Sequence, residues 1–252
     1  MPENGHYPVY SFPFKIFLSI LIALITSKPR DFQKDAGDLS LRISPKPSLK
    51  NINQIPSNGP YLVTLNHYSR PGFMVIWAAI ALSTALPQSP IWLMTGAWTD
   101  RKAGIDWLRT ALTSAIFRRL AEIYGFVTMP PMPPVPEEAA ERALSIRRLI
   151  GILRKNSNSV LCIAPEGMDF PGGQLGIPHP GTGKMILQMT NSLKRILPVG
   201  VYEESGRLVV NFGAPFLLEI PKDTVHLDMD IIIQVMRHIA VLLPEEMRGP
   251  YH

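Results

Sequence analysis

Two short stretches of the sequence place chemically active residues directly after apolar runs. Asn66-His67-Tyr68-Ser69-Arg70-Pro71-Gly72 follows the run YLVTL, and Pro165-Glu166-Gly167-Met168-Asp169 follows the run SVLCIA. Histidine and carboxylates are the side chains that proton-transfer catalysis uses most often, and functional residues concentrate on loops at strand ends. A structural histidine beside an ordinary Pro-Gly turn is the alternative for the first stretch.

The order of apolar runs and helical patterns predicts the elements that must position these residues. Probable strands are YLVTLN, GFVTM, SVLCIAP, ILPVGVY and RLVVNFG, and helical patterns cover about 72–86, 105–122, 137–155, 182–193 and 229–242. This alternation predicts a single α/β domain with a mostly parallel central sheet flanked by helices and preceded by an N-terminal apolar helix. The proline-rich stretch 130–136 is expected to be a stiff extended spacer on the surface.

In a parallel sheet the carboxyl ends of the strands share one edge, where ligands gather. The stretches that follow YLVTL and SVLCIA are therefore expected to meet at that edge. The strand ILPVGVY carries Pro198 at a third such end, which would close the wall of a pocket.

The N-terminal segment FPFKIFLSILIALI, residues 12–25, is apolar apart from Lys15 and Ser19. Its strongly apolar part is shorter than the roughly 20 residues that a spanning helix needs. A helix lying in the membrane interface fits best, with Lys28, Arg30 and Lys34 near lipid headgroups. The predicted organisation is thus an interfacial segment over 1–35 and the α/β domain over 36–252, with a plain core helix as the alternative for the N-terminal segment.

Composition and charge limit the possible partners. The 252 residues are 46% hydrophobic, and a net charge of +5 fits an anionic partner such as a lipid surface or a phosphorylated substrate. We expect no nucleic-acid partner, because no nucleic-acid-binding motif occurs. Cys162 is the only cysteine, which excludes an internal disulfide, and the histidines show no metal-ligand spacing, so no metal is expected.

Four motifs, taken in order and spacing, resemble the blocks of the glycerolipid acyltransferases of the lysophosphatidic-acid acyltransferase type. They are Asn66-His67, Gly125-Phe126-Val127, Pro165-Glu166-Gly167 and Leu197-Pro198-Val199. The resemblance covers roughly residues 40–240. It implies an acyl-CoA or acyl-carrier-protein donor, a glycerolipid-like acceptor, no cofactor, and action at the cytoplasmic face of a membrane.

In such a family a histidine acts as general base on the acceptor hydroxyl, and a carboxylate orients the imidazole. The first block of the family is H-x-x-x-x-D, and in this chain the position of the aspartate is Gly72. The expected partner of His67 is therefore missing from its usual place. Replacement carboxylates from elsewhere in the sequence are Glu166, Asp169, Asp100 and Asp106.

Two arginines of the family pattern are also replaced. The second block reads GFVTMPP, and Asp169 stands where the third block usually carries an arginine. Those arginines would hold an acceptor phosphate through charge-assisted hydrogen bonds. We therefore expect an acceptor without a phosphomonoester at that position, or one held by Arg70, Arg101 or Lys102.

The sequence as a whole indicates a membrane-associated acyltransferase with His67 as its base. Substrate contacts are expected from the two stretches at the sheet edge, and an acyl chain is expected against the apolar surface near residues 73–93. The predicted substrate-binding residues are Asn66, Ser69, Arg70, Pro165, Glu166, Gly167 and Asp169. A non-catalytic lipid- or acyl-binding relative and a thioester hydrolase are the alternatives, and the oligomeric state is left open.

Overall fold

A computed structural model describes residues 7–99, 106–220 and 224–252 of the chain. Nine strands and seven helices occur in these ranges. The strands are β1 Val9–Tyr10, β2 Ile43–Ser44, β3 Ser48–Lys50, β4 Tyr61–Leu65, β5 Ile91–Thr95, β6 Val127–Met129, β7 Val160–Ile163, β8 Arg195–Glu204 and β9 Arg207–Phe212. The helices are α1 Phe14–Thr26, α2 Phe32–Ser40, α3 Ile76–Ala85, α4 Asp106–Tyr124, α5 Ala139–Lys155, α6 Thr182–Leu193 and α7 Leu227–Ala240.

Seven of these strands form one twisted sheet in the order β3-β9-β8-β4-β7-β5-β6, while β1 and β2 pair separately. Within the sheet only β8 and β9 run antiparallel to each other. β4 lies at the centre and pairs in parallel with β7 on one side and β8 on the other. The predicted α/β fold with a mostly parallel sheet flanked by helices is confirmed.

The central strand explains why its sequence is almost continuously apolar. Every residue of β4 is buried, because helices cover both faces of the sheet. Tyr61, Val63 and Leu65 pack in a cluster with α2 and α3, while Leu62 belongs to the opposite cluster with α5, α6 and α7. Successive residues of a strand point to opposite faces of the sheet, so the single strand β4 contributes side chains to both hydrophobic clusters.

All five predicted strands and all five predicted helices beyond residue 40 are present, with shifted ends. The apolar run after residue 73 divides into α3 and β5. One helix was not predicted: α2 buries Phe32, Ala36 and Leu39 and packs against α3. The predicted boundary at residue 35 falls inside this helix, so α2 belongs to the packed α/β body.

The N-terminal helix α1 is not a core helix, because Ala23 is its only buried residue. Ile16 packs against the core, but most of the other apolar side chains are exposed, and Phe14 and Ile25 are 74% and 75% exposed. Arg30, which we expected near lipid headgroups, instead forms a two-bond pair with Asp35 at 2.7 Å. Among the described residues, no helix combines the length and apolar character that crossing a bilayer requires.

Candidate active site

The loop that carries His67 is fixed to the sheet by the residue before it. The buried Asn66 side chain donates to the Val201 carbonyl at 2.8 Å and accepts from the Val201 amide at 2.7 Å. The side chain thus mimics a strand residue and extends the contact between β4 and β8. The Asn66 amide is thus buried and bound to the backbone of β8, which gives it a structural role, and its predicted contact with substrate stays a prediction.

Glu166 fixes the same loop from the other side. Its carboxylate, in a residue only 1% exposed, accepts from the His67 amide at 2.6 Å and from the Gly176 amide at 2.9 Å. Burial raises the pKa of Glu166 to about 7, although the two N–H groups favour the charged form. Glu166 therefore links the two predicted stretches through backbone contacts, and its predicted contact with substrate stays a prediction.

The imidazole of His67 meets a carboxylate from the second stretch. His67 Nδ1 lies 2.8 Å from Asp169 Oδ1, and the two side chains are 21% and 69% exposed. The oxygen lies off the direction in which a ring N–H at Nδ1 points, so the contact is close but bent. Hydrogen bonding to His67 lowers the pKa of Asp169, which keeps this carboxylate ionised at neutral pH.

A close approach of two backbones makes this contact possible. Gly173 has a φ of +68°, and a Cβ there would lie 3.0 Å from the carbonyl oxygen of Ser69 and 3.2 Å from the ring of Tyr68. Ser69 also donates from Oγ to the Phe170 carbonyl at 3.3 Å. A side chain at position 173 would be strained by the positive φ and by these tight contacts, so glycine lets the loop that contains Asp169 lie directly on the loop that contains His67. The Gly172-Gly173 pair was the sequence signal for this approach.

Gly72 has no role in charging the imidazole, since it has no side chain. Among the replacement carboxylates, Asp169 is the one that contacts the His67 ring, while Glu166 binds the backbone amide of the same residue. Asp100 lies outside the described residues, as does the side chain of Asp106. The structure thus brings together His67, Glu166 and Asp169, which sequence reasoning had placed at one edge of the sheet.

Arg70 is committed to contacts within the protein. Its Nε and Nη2 atoms donate to the two carboxylate oxygens of Glu203, the second at 2.8 Å, and its guanidinium lies 3.9 Å from the centre of the Tyr7 ring. Tyr10 and Tyr68 donate to the same carboxylate at 2.5 and 3.0 Å. This internal pairing argues against Arg70 as the residue that holds an acceptor phosphate.

The other two cations proposed for that role, Arg101 and Lys102, lie outside the described residues. Glu203 was missed by sequence reasoning, since it lies within a strand and in no motif.

An apolar cavity of about 350 Å³ opens beside the second stretch. Its walls come from the ends of β5 and β6, from α5, and from Pro165 and Gly167; the proline-rich stretch contributes Pro130, Met132 and Pro134. Residues 130–136 therefore contribute to a cavity wall in addition to connecting β6 and α5. Leu93 lines the cavity but the rest of residues 73–93 does not, and the expected contact of an acyl chain with that surface stays a prediction.

The arrangement is suited to moving one proton. With Nδ1 beside Asp169, the other ring nitrogen, Nε2, is the atom that can accept a proton from a hydroxyl. The adjacent carboxylate would stabilise the imidazolium that results. In the part of the chain that the structure describes, no three His, Cys, Asp or Glu side chains gather as metal ligands do; the expected lack of a metal or cofactor stays a prediction.

Comparison with known proteins identifies the family and the fold. The model of the family described as Acyltransferase matches residues 46–202, a range that contains all four sequence motifs. The structure is similar to that of the 1-acyl-sn-glycerophosphate (LPA) acyltransferase PlsC from Thermotoga maritima, with a TM-score of 0.54 and 12% identity over 90% of this chain and 89% of that chain. At this identity the likeness is one of fold. The search of curated proteins found no match.

Proposed function

Because the chain belongs to the acyltransferase family, we propose that it moves a fatty acyl group from an acyl thioester to a hydroxyl of a glycerolipid-like acceptor. The observation that carries this proposal is the 2.8 Å contact between His67 and Asp169. Asp169 supplies the carboxylate that is missing at position 72. The contact therefore weakens the alternative of a non-catalytic relative. The donor, either acyl-CoA or an acyl-carrier protein, is part of the proposal.

The proposed step needs a base, a nucleophile and a leaving group. His67 Nε2 takes the proton of the acceptor hydroxyl as that oxygen attacks the thioester carbonyl carbon. The tetrahedral intermediate collapses, the carbon–sulfur bond breaks, and the imidazolium returns the proton to the departing thiolate. Asp169 stabilises the imidazolium throughout, and Glu166 holds the backbone of His67 in place.

The apolar cavity is the proposed site for the acyl chain. Pro165 and Gly167 line it and flank Glu166, which binds the His67 amide. An acyl chain in this cavity would therefore leave its thioester close to the stretch that carries the base. Such a mostly apolar cavity with few polar groups is the usual form of a lipid-binding site.

The acceptor is proposed to lack a phosphomonoester beside the dyad. Asp169 occupies the position of a family arginine, and its lowered pKa keeps a negative charge there. A phosphate group at that point would be repelled. Neutral hydroxyl acceptors, or lipids whose phosphate lies farther from the reacting hydroxyl, fit this charge better.

The protein is further proposed to work at the cytoplasmic face of a membrane, with α1 in the interface. The exposed apolar side chains of α1 support this, since no described part of the protein covers them. A lipid acceptor would also be found there. Deletion of residues 1–30 should weaken binding to liposomes, and unchanged binding of the truncated protein would overturn the assignment of α1.

The deciding experiment follows acyl transfer from labelled acyl-CoA and from an acyl-carrier protein to lysolipids and neutral alcohols. Wild type should form acylated acceptor, and His67→Ala should lose on the order of 10²- to 10⁴-fold in turnover. His252→Ala, an exposed histidine at the end of the chain, is the matched control. Equal activity of wild type and His67→Ala would overturn the proposal. Thioester consumption without acylated acceptor would identify a hydrolase instead.

A further inference from the structure

The first three turns of α4 display apolar side chains that the described protein does not cover. Trp107, Leu108, Leu112 and Ile116 are exposed, Trp107 by 71%, and no described residue of α4 before Ala121 is buried. Leu108, Leu112 and Ile116 recur every four residues and so form one stripe of the helix. A helix of a globular protein normally buries such a stripe.

The second half of α4 is attached to the rest of the protein. Its Arg119 donates to the Ser27 hydroxyl at the end of α1 at 2.6 Å, and the ring of Phe117 packs edge to face on Trp98. The Thr113 hydroxyl accepts from the Trp98 amide at 3.0 Å. The Thr110 hydroxyl also donates to the Trp98 carbonyl, at 3.4 Å. α4 is therefore attached from Thr110 onward, beside α1, while the side chains of its apolar stripe stay exposed.

The charges around these two helices favour an anionic partner. Lys15 and Lys28 line a groove of about 350 Å³ along α1, and Arg109 and Arg118 are exposed on α4. Glu122, an acidic residue of α4, is paired with Arg119 at 3.0 Å. A surface that enters lipid headgroups typically combines cationic side chains (Arg, Lys) with neighbouring aromatic and apolar ones (Trp, Leu). A second copy of this chain would bring like charges together.

Topology places the first turn of α4 toward the edge of the sheet that holds His67 and Asp169. β5 and β6 are parallel neighbours, so the helix that connects them must return from the carboxyl ends of the strands toward their amino ends. The first turn of α4 therefore lies toward the edge at which β4 and β7 deliver His67 and Asp169.

We propose that the exposed stripe of α4, Trp107, Leu108, Leu112 and Ile116, is a second membrane-binding element that docks on an anionic lipid surface together with α1. Two elements fix the orientation of a protein on a bilayer, which one helix alone does not. With the first turn of α4 in the lipid headgroups, the edge that carries His67 faces the membrane. A lipid acceptor then reaches the site without leaving the bilayer surface.

A matched pair of leucines tests this directly. Leu112 on α4 and Leu144 on α5 are each 61% exposed, so Leu112→Ser and Leu144→Ser remove the same side chain from equally exposed helical sites. Binding is measured by cosedimentation with vesicles of phosphatidylcholine containing 30% phosphatidylglycerol, and with vesicles of phosphatidylcholine alone. We expect Leu112→Ser to bind the anionic vesicles about tenfold more weakly than wild type, and Leu144→Ser to bind like wild type.

Other outcomes overturn the inference. Equal vesicle binding by wild type and both variants, or an equal loss in both variants, would show that α4 does not touch lipid. A dimer of the wild type in sedimentation equilibrium that Leu112→Ser dissociates would show that a second copy covers the stripe. The inference extends the proposed function, but vesicle binding is measured without acyl transfer, so a protein that binds through Leu112 and transfers no acyl group would refute only the function.

Discussion

Removal of the Asp169 charge tests whether this residue replaces the family aspartate. At the 2.8 Å separation of His67 Nδ1 and Asp169 Oδ1, two unit charges attract by about 1.5 kcal/mol in the dielectric of water and by about 6 kcal/mol at an effective dielectric of 20. Asp169 is 69% exposed, so solvent screens the pair and the charge attraction alone contributes about 1 kcal/mol. Asp169→Asn should therefore lower the turnover number about tenfold through the lost charge, and up to about 10³-fold because asparagine also favours the wrong imidazole tautomer.

The assay is single-turnover and steady-state acyl transfer, with Asp38→Asn as the control. Asp38 is an exposed aspartate on α2, on the surface of the same protein, and its replacement should leave turnover unchanged. Because Asp169 acts through the imidazole, KM should change far less than kcat. If Asp169→Asn keeps more than a third of the wild-type turnover, the proposed His67–Asp169 dyad is refuted.

A second variant asks whether the usual family arrangement can be restored. Gly72 has a φ of +79°, and a Cβ there would meet only the guanidinium of Arg70, at an ordinary 3.6 Å. Aspartate tolerates this backbone region better than most residues. Gly72→Asp in the Asp169→Asn background should regain at least tenfold in turnover, while Gly72→Ala in the same background should regain none. Equal activity of the two double variants would show that a carboxylate at position 72 cannot reach His67.

Three further predictions concern the surroundings of the dyad. The folded protein keeps a proton on Glu166 up to a pKa of about 7, whereas the unfolded chain releases it near 4.5. This difference stabilises the folded protein by on the order of 3 kcal/mol below pH 4.5, and the stabilisation is lost as the pH rises to 7. The free energy of unfolding in urea should therefore fall between pH 4.5 and 7 for the wild type, and this fall should be absent in Glu166→Gln. Glu203→Gln leaves the partly buried Arg70 without its counter-charge and should lower the free energy of unfolding by about 2 to 4 kcal/mol; an unchanged urea midpoint would contradict this. Ala143 lines the apolar cavity, so Ala143→Phe should narrow the cavity and shift donor preference to shorter acyl chains. Ala140→Phe is the control, because Ala140 lies one turn away on α5 and outside the lining, and it should leave donor preference unchanged.

Much of the fold follows from local patterns. The runs YLVTL and VLCI are almost continuously apolar, because their strands are covered on both faces. This pattern distinguishes buried parallel strands from half-exposed ones. α2 was missed because its short sequence, FQKDAGDLS, is mostly polar. Its three buried apolar residues gain their stability from contact with α3, which the sequence of α2 does not reveal.

The roles of individual site residues followed less directly. Asn66 and Glu166 were predicted to contact substrate because they flank the chemistry in sequence. Both are buried, and their polar atoms bind backbone groups of β8, His67 and Gly176. A polar residue next to a catalytic one is as often required to hold the loop as to touch the ligand, since buried backbone groups must be paired.

The sequence by itself determined which strands end at the active edge, that His67 and the second stretch lie there together, and that the usual aspartate is absent at Gly72. Those conclusions depend on order and periodicity along the chain, which are local properties. Only the tertiary structure decided that Asp169 is the carboxylate beside His67, because that contact joins residues of two different loops. It depends on a close approach of the chain around Gly173 to the backbone of Ser69, which a side chain at position 173 would strain.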